Sequence, residues 1–149
     1  MSNKREAIIL IVEDDILERQ VADVMFRRAN VINKIYFVKD GEEALDFLYK
    51  RNGFEDMPTP DILYLDIQMP KFSGTEVLEI MYKDPELSKI STIVLTGIAD
   101  DTNMMVAREY GAIGYIIKPL DSRNIMETCT FNKSIKIKFV VDDELNQFK

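Results

Sequence analysis

The chain alternates short apolar runs with segments whose apolar residues recur at helical spacing. Residues 7–12 form a continuous apolar run rich in β-branched side chains, which predicts a strand buried on both faces of a parallel sheet. Further strands are predicted at residues 34–38, 61–65, 91–96 and 114–118. Each is followed by a predicted helix, of which the last, over about residues 121–130, is short. This alternation predicts an α/β fold with a doubly wound parallel sheet.

The first helix is predicted from its apolar spacing, and its start from the acid that precedes it. Asp15 suits the N-cap of this helix, as Asp40 suits that of the second. The apolar positions are expected to face the core; they are Leu17, Val21, Val24 and Met25. The polar positions are expected on the opposite side; they are Glu18, Arg19, Asp23 and Arg27.

Composition excludes several classes of protein. The 149 residues are 46% hydrophobic, enough for one domain with a core, and the net charge is −7. Without histidine and with one cysteine, zinc fingers, haem proteins and Ser-His-Asp hydrolases are excluded. The acidic balance disfavours direct binding to nucleic acid. No apolar run is long enough to cross a bilayer and residues 1–7 lack a signal-peptide pattern, so we expect a cytoplasmic protein that does not bind membranes.

Polar residues follow four of the predicted strands, at the sheet edge where α/β proteins bind ligands. They are Glu13 and Asp14 after the first strand, Asp66 after the third, Thr96 after the fourth and Lys118 after the fifth. Neighbouring carboxylates repel one another unless a cation neutralises them. Oxygen ligands without histidine or cysteine favour Mg²⁺, which Mn²⁺ can replace. With a cation, an amine and a hydroxyl around it, Asp66 is the best-placed nucleophile for accepting a phosphoryl group.

Four segments together resemble the receiver domain of two-component response regulators. They are residues 12–15 (Val-Glu-Asp-Asp), 65–74 (Leu-Asp-Ile-Gln-Met-Pro-Lys-Phe-Ser-Gly), 95–97 (Leu-Thr-Gly) and 114–119 (Gly-Tyr-Ile-Ile-Lys-Pro). The resemblance covers about residues 7–127. It implies a flavodoxin-like (βα)5 fold with strand order 2-1-3-4-5, and a protein that accepts a phosphoryl group from a histidine kinase or histidine phosphotransfer protein.

The resemblance also implies roles for residues at the metal site. Asp66 would be the phosphoacceptor and Asp14 a direct Mg²⁺ ligand. Glu13 would act mainly through metal-bound water, and the backbone carbonyl of Gln68 would complete the site. Glu13 stands where the family more often has Asp.

Catalytic and switch roles follow from the same resemblance. Thr96 would bond a phosphoryl oxygen and Lys118 would pair with the phosphate, with a cis bond between Lys118 and Pro119. Tyr115 matches the aromatic switch position. In the family, the movement of these two switch residues, Thr96 and Tyr115, reshapes the face formed by the fourth helix, fifth strand and fifth helix.

We predict a receiver domain at residues 1–127 and a C-terminal extension at residues 128–149, with no separate output domain. Residues 134–141 alternate like a strand and would pair with their own sheet, a partner's sheet edge or a second copy, which would make a homodimer. The loop before the third strand and residues 83–90 look like those of stand-alone regulators associated with bacterial phytochrome kinases.

The predicted function is a phosphorylation-controlled switch of protein–protein interactions, catalysing no reaction beyond its own phosphorylation and dephosphorylation. The alternative is a receiver-like interaction module that phosphorylation does not control. A flavodoxin-type electron carrier is disfavoured because the acids after the first strand, residues 13–15, would repel a flavin phosphate. An aspartyl phosphatase is disfavoured because Gln68 stands where its general acid would be.

Overall fold

A computed structural model of the protein describes residues 7–31, 33–69, 73–98 and 101–130. Five strands alternate with five helices in this part of the chain, as predicted. The strands are β1 (Ile9–Val12), β2 (Ile35–Val38), β3 (Ile62–Asp66), β4 (Ser91–Thr96) and β5 (Gly114–Ile117). The helices are α1 (Ile16–Arg28), α2 (Gly41–Tyr49), α3 (Gly74–Lys83), α4 (Asp101–Glu109) and α5 (Ser122–Thr130), with a 3-10 turn at Leu87–Lys89. The predicted strand at residues 134–141 lies outside the described residues, as do residues 70–72 of the second family segment.

All strand pairs are parallel, and the sheet order is β2-β1-β3-β4-β5, the flavodoxin-like order expected. The register pairs Val12 with Leu65, Asp66 with Leu95 and Thr96 with Ile117. The carboxyl ends of the four strands therefore meet at one edge. The chain reverses its direction across the sheet between β1 and β3, which is where such sheets form a ligand crevice.

Two hydrophobic clusters cover the two faces of the sheet. One joins β1 and β3 residues such as Leu10 and Leu65 to helices α2, α3 and α4. The other joins Ile11 and Tyr64 to helices α1 and α5. Both faces of the central strands are buried, which explains why these strands are continuously apolar rather than alternating.

The predicted core face of α1 was wrong. Ala22 and Phe26 are buried, whereas Leu17, Val21 and Val24 are 70%, 42% and 46% exposed. Phe26 packs edge-on against Tyr64 with ring centroids 5.2 Å apart, and this contact fixes the rotation of the helix. Since residues four apart share a helix face, the same rotation turns Glu18 toward the sheet edge. No helix in the described part of the chain is long and apolar enough to span a membrane.

Candidate functional site

Three charged side chains from separate strands meet at the carboxyl edge of the sheet. Glu13 follows β1, Asp66 ends β3 and Lys118 follows β5. The Lys118 Nζ lies 2.7 Å from the Glu13 Oε1 and 2.5 Å from the Asp66 Oδ2. Backbone bonds hold two of them in place, because Glu13 N–H donates to the Val38 carbonyl and Lys118 N–H to the Thr96 carbonyl. The sequence places five residues at this edge, and three of them, Glu13, Asp66 and Lys118, are in contact in the structure.

A fourth charged residue, Glu18, joins the cluster from the first turn of α1. Its Oε2 lies 2.7 Å from the Lys118 Nζ. Sequence reasoning placed Glu18 on the outer side of the helix because Leu17 and Val21 dominated the apolar pattern. Glu18, Ala22 and Phe26 lie four residues apart and share the face that packs on the sheet. Leu17 and Val21 have the same spacing but are exposed, so spacing alone did not identify Glu18.

The environment shifts the pKa of each of three members of the cluster. Burial raises the pKa of Glu13 to about 8, and the neighbouring Glu18 adds to the rise. Hydrogen bonds from Glu13 and Lys118 lower the pKa of Glu18. Burial alone would lower the pKa of Lys118, but bonds to Asp66, Glu13 and Glu18 raise it above its usual value. Lys118 is therefore charged at neutral pH, and Glu13 readily takes up a proton.

Asp66 is held through both carboxylate oxygens. Its Oδ1 accepts the Gln68 backbone N–H at 2.8 Å, and its Oδ2 accepts from Lys118. Helix α3 begins against this strand end: a Cβ on Gly74 would lie 2.6 Å from both the Asp66 carbonyl oxygen and the Ile67 Cα. Only glycine permits that approach, so Gly74 fixes the position of α3 relative to Asp66.

Thr96 and Gln68 lie beside the cluster and bond to the loop that follows β4. The Thr96 Oγ1 donates to the Ile98 carbonyl at 2.8 Å and accepts the Ile98 N–H at 3.2 Å. The Gln68 Oε1 accepts the Gly97 N–H at 3.1 Å. These bonds tie the loop after β4 to the site.

The remaining predicted residues are placed as follows. Asp14 is exposed and does not belong to the group of carboxylates that meet at Lys118. Tyr115 is 54% exposed on edge strand β5. The bond between Lys118 and Pro119 is cis, as expected. The roles of Asp14 in metal binding and of Tyr115 in switching stay predictions, as do those assigned to Gln68 and Thr96.

The cluster provides a donor set that suits a divalent cation. One carboxylate oxygen from each of Glu13, Glu18 and Asp66 lies within 4.8 Å of the others. When all are ionised, three negative charges against the one positive charge of Lys118 leave a formal charge of −2. Hard cations such as Mg²⁺ and Mn²⁺ prefer oxygen ligands of this kind.

Comparisons with known proteins agree with this fold. Residues 9–130 match the model of the response regulator receiver domain family. Response regulator Rcp1 of Synechocystis is 28% identical over 120 residues, which cover 80% of each chain. The solved Mn²⁺-bound form of Rcp1 has a TM-score of 0.73 at 22% identity, covering 91% of this chain and 99% of Rcp1.

Two further relatives extend the comparison. The probable methanogenesis regulatory protein FilR2 of Methanothrix harundinacea is 31% identical over 121 residues, covering 81% of this chain and 77% of FilR2. The solved bacteriophytochrome response regulator RtBRR has a TM-score of 0.80 at 26% identity, covering 93% of this chain and 82% of RtBRR. With its family match, sheet order and charged site in agreement, the chain belongs to the response regulator receiver domain family of two-component signalling.

Proposed function

We propose that Asp66 accepts a phosphoryl group from a histidine kinase or histidine phosphotransfer protein, with Mg²⁺, and that this modification switches protein–protein interactions. The observation that carries the proposal is the position of Asp66. Its carboxylate ends the central strand and is oriented by the Gln68 N–H and the Lys118 ammonium at the open edge of the sheet. A carboxylate fixed in this way is preorganised to attack an incoming phosphorus atom.

In the proposed reaction, a carboxylate oxygen of Asp66 forms a bond to phosphorus as the bond from phosphorus to the donor's histidine nitrogen breaks. The nitrogen keeps the electron pair of that bond. Lys118 donates a hydrogen bond to a phosphoryl oxygen and so offsets part of the charge on the phosphoryl group. No protein group is needed as a general base, because Asp66 attacks as a carboxylate.

The residues proposed to hold Mg²⁺ are Glu13, through metal-bound water, Asp14, Asp66 and the backbone carbonyl of Gln68. When bound, Mg²⁺ supplies positive charge that neutralises the acids and the phosphoryl oxygens. Two of these residues, Glu13 and Asp66, have carboxylate oxygens within 4.8 Å of each other, which supports a divalent cation here, and the relative Rcp1 has been solved in a Mn²⁺-bound form. We extend the same use of the site to this chain.

The proposed switch uses Thr96 and Tyr115. Thr96 would give up its hydrogen bond to Ile98 and bond a phosphoryl oxygen instead, pulling on the loop after β4. Tyr115 would turn inward from its exposed position on β5. The surface around it carries further exposed apolar residues, Met105, Ile113 and Ile117, so a movement of Tyr115 changes a surface suited to protein contacts.

Intact mass after incubation with acetyl phosphate and Mg²⁺ tests this function. We expect one added phosphoryl group in the wild type and none in Asp66→Asn or without the metal. Asp56→Asn is the matched control, since Asp56 is exposed in the loop before β3 and should leave the mass gain intact. No gain in the wild type, together with no binding of beryllofluoride, would favour the interaction module that phosphorylation does not control.

A further inference from the structure

Every proton of the Lys118 ammonium has an acceptor. An ammonium group has three N–H donors. The Lys118 Nζ bonds three carboxylates, those of Asp66 at 2.5 Å and of Glu13 and Glu18 at 2.7 Å each. A phosphoryl oxygen can therefore accept from Lys118 in a full hydrogen bond only after one of these carboxylates gives up its place.

Asp66 must stay in place as the attacking carboxylate while a phosphoryl donor binds, so burial decides which of the two glutamates leaves. The side chains of Glu13 and Asp66 are each 4% exposed, whereas that of Glu18 is 47% exposed. A buried carboxylate that loses its donor cannot be rehydrated, while an exposed one exchanges the lost bond for water. Glu13 is further fixed through its Oε2, which accepts the Asp15 N–H at 3.2 Å. Glu18 has the lowest cost of release.

We propose that Glu18 is a positioning residue that occupies the Lys118 N–H that a phosphoryl oxygen takes, so that Glu18 competes with the phosphoryl group for Lys118. This inference rests on the proposed function, because it concerns the same phosphoryl transfer to Asp66. While no phosphoryl group is bound, Glu18 helps to hold Lys118 over the site. When one arrives, Glu18 turns to water and the number of bonds to Lys118 stays the same.

The competition predicts that removing the Glu18 carboxylate tightens the binding of phosphoryl groups. We expect Glu18→Gln to lower the KM for acetyl phosphate and the Kd for beryllofluoride by about 2- to 5-fold, the range of a partly exposed ion pair. At saturating Mg²⁺ the kcat should change by less than about 2-fold, because Glu18 is not among the residues proposed to hold Mg²⁺ and the reacting atoms are untouched. Glu18→Asp should also lower the KM for acetyl phosphate and the Kd for beryllofluoride, since its shorter side chain holds the carboxylate farther from Lys118.

Asp23→Asn is the matched control. It removes one negative charge from the same helix, but Asp23 pairs only weakly with Arg27, at 3.8 Å, and both side chains are about half exposed. The rates are measured over a series of acetyl phosphate concentrations at saturating Mg²⁺, and beryllofluoride binding is measured independently by ¹⁹F NMR. We expect Asp23→Asn to match the wild type in both experiments.

Each contrary result has a separate meaning. Unchanged constants in Glu18→Gln, beside a wild type that is phosphorylated on Asp66, would overturn the competition and leave the proposed function standing. If Asp23→Asn lowers the KM and Kd as much as Glu18→Gln does, or if Glu18→Asp keeps the wild-type constants, the effect is due to net charge and the competition is overturned too. A raised KM with weaker Mg²⁺ binding would make Glu18 a metal ligand instead. A wild type that neither gains phosphate nor binds beryllofluoride would overturn both proposals.

Discussion

Replacing Lys118 with methionine removes the cation that holds the carboxylate cluster together. Glu13 and Asp66 are each 3% exposed and lose the partner that compensates their charge. Removing one partner of a buried ion pair typically costs about 3–5 kcal/mol. Here part of that cost is relieved, because the pKa of Glu13 is raised to about 8 and the group can take up a proton. Glu18 is half exposed and adds little.

The net expectation is a loss of about 2–3 kcal/mol in the free energy of unfolding without metal. For a chain of this length that lowers the Tm by roughly 4–12 °C. Mg²⁺ should restore most of the loss, since a ligand at one hundred times its Kd stabilises the folded state by about 2.7 kcal/mol. Mg²⁺ should stabilise Lys118→Met more than it stabilises the wild type, because the charge of Lys118 no longer repels the metal ion.

Urea unfolding followed by far-UV circular dichroism, in EDTA and along a Mg²⁺ titration, measures these quantities. Lys89→Met is the control, since Lys89 is 73% exposed and pairs at 3.6 Å with Glu86, which is also exposed. It should change stability by no more than about 0.5 kcal/mol. If Lys118→Met lowers the free energy of unfolding by less than about 1 kcal/mol and Mg²⁺ stabilises it no more than the wild type, the buried acids do not depend on the charge of Lys118 for stability, and the prediction is refuted.

Three further predictions concern the site and its supports. Without metal, the free energy of unfolding should fall as pH rises from about 5 to 8, because folded Glu13 has a pKa of about 8 and keeps a proton that it loses near 4.5 in the unfolded chain. Urea unfolding midpoints measured across this pH range should show the fall. Glu13→Gln should make the midpoints nearly independent of pH. The lowered pKa of Glu18 and the raised pKa of Lys118 act outside this window. Gly74→Ala should lower the free energy of unfolding by about 1–3 kcal/mol in thermal unfolding, because the new Cβ would clash with the backbone of Asp66 and Ile67. Gly97→Ala should lower it less, because its Cβ would contact only the Gln68 side chain, at 3.4 Å. Leu17→Gln should alter stability by no more than about 0.5 kcal/mol and Phe26→Ala by about 3–5 kcal/mol in urea unfolding; the reverse ranking would contradict the observed rotation of α1.

The sheet was predictable from the sequence because its central strands are buried on both faces. That burial leaves a continuous apolar run at residues 9–12 and again at 62–65, each ended by an acid. The acids and Lys118 lie at strand ends, and parallel strands bring their carboxyl ends to one edge whatever the loops do. The residue types at those ends were therefore enough to predict where Glu13, Asp66 and Lys118 would converge.

The rotation of α1 could not be predicted from its apolar residues. Its buried face contains the small residue Ala22 and the charged residue Glu18, which a hydrophobic pattern scores poorly, while Leu17 and Val21 remain exposed. The rotation depends on tertiary contacts of Phe26 with Tyr64 and of Glu18 with Lys118. Both partners are distant in sequence, so local periodicity carries no information about them.

The roles assigned to single atoms are a different kind of prediction. The Thr96 hydroxyl bonds Ile98 rather than a group in the charged cluster, and Asp14 lies apart from the carboxylates that meet at Lys118. Which of these side chains bonds metal or phosphate depends on how they rearrange around a phosphoryl group. The sequence and family resemblance specify the residue types for that rearrangement but not its geometry.

Chemical mapping of the phosphorylated protein locates the phosphoryl group directly. The protein is phosphorylated with acetyl phosphate and Mg²⁺, treated with borohydride, which reduces an aspartyl phosphate to homoserine, and mapped by peptide mass spectrometry. We expect homoserine at position 66 and at no other aspartate. Homoserine at position 14 instead, or phosphate retained on a serine or threonine, would contradict it.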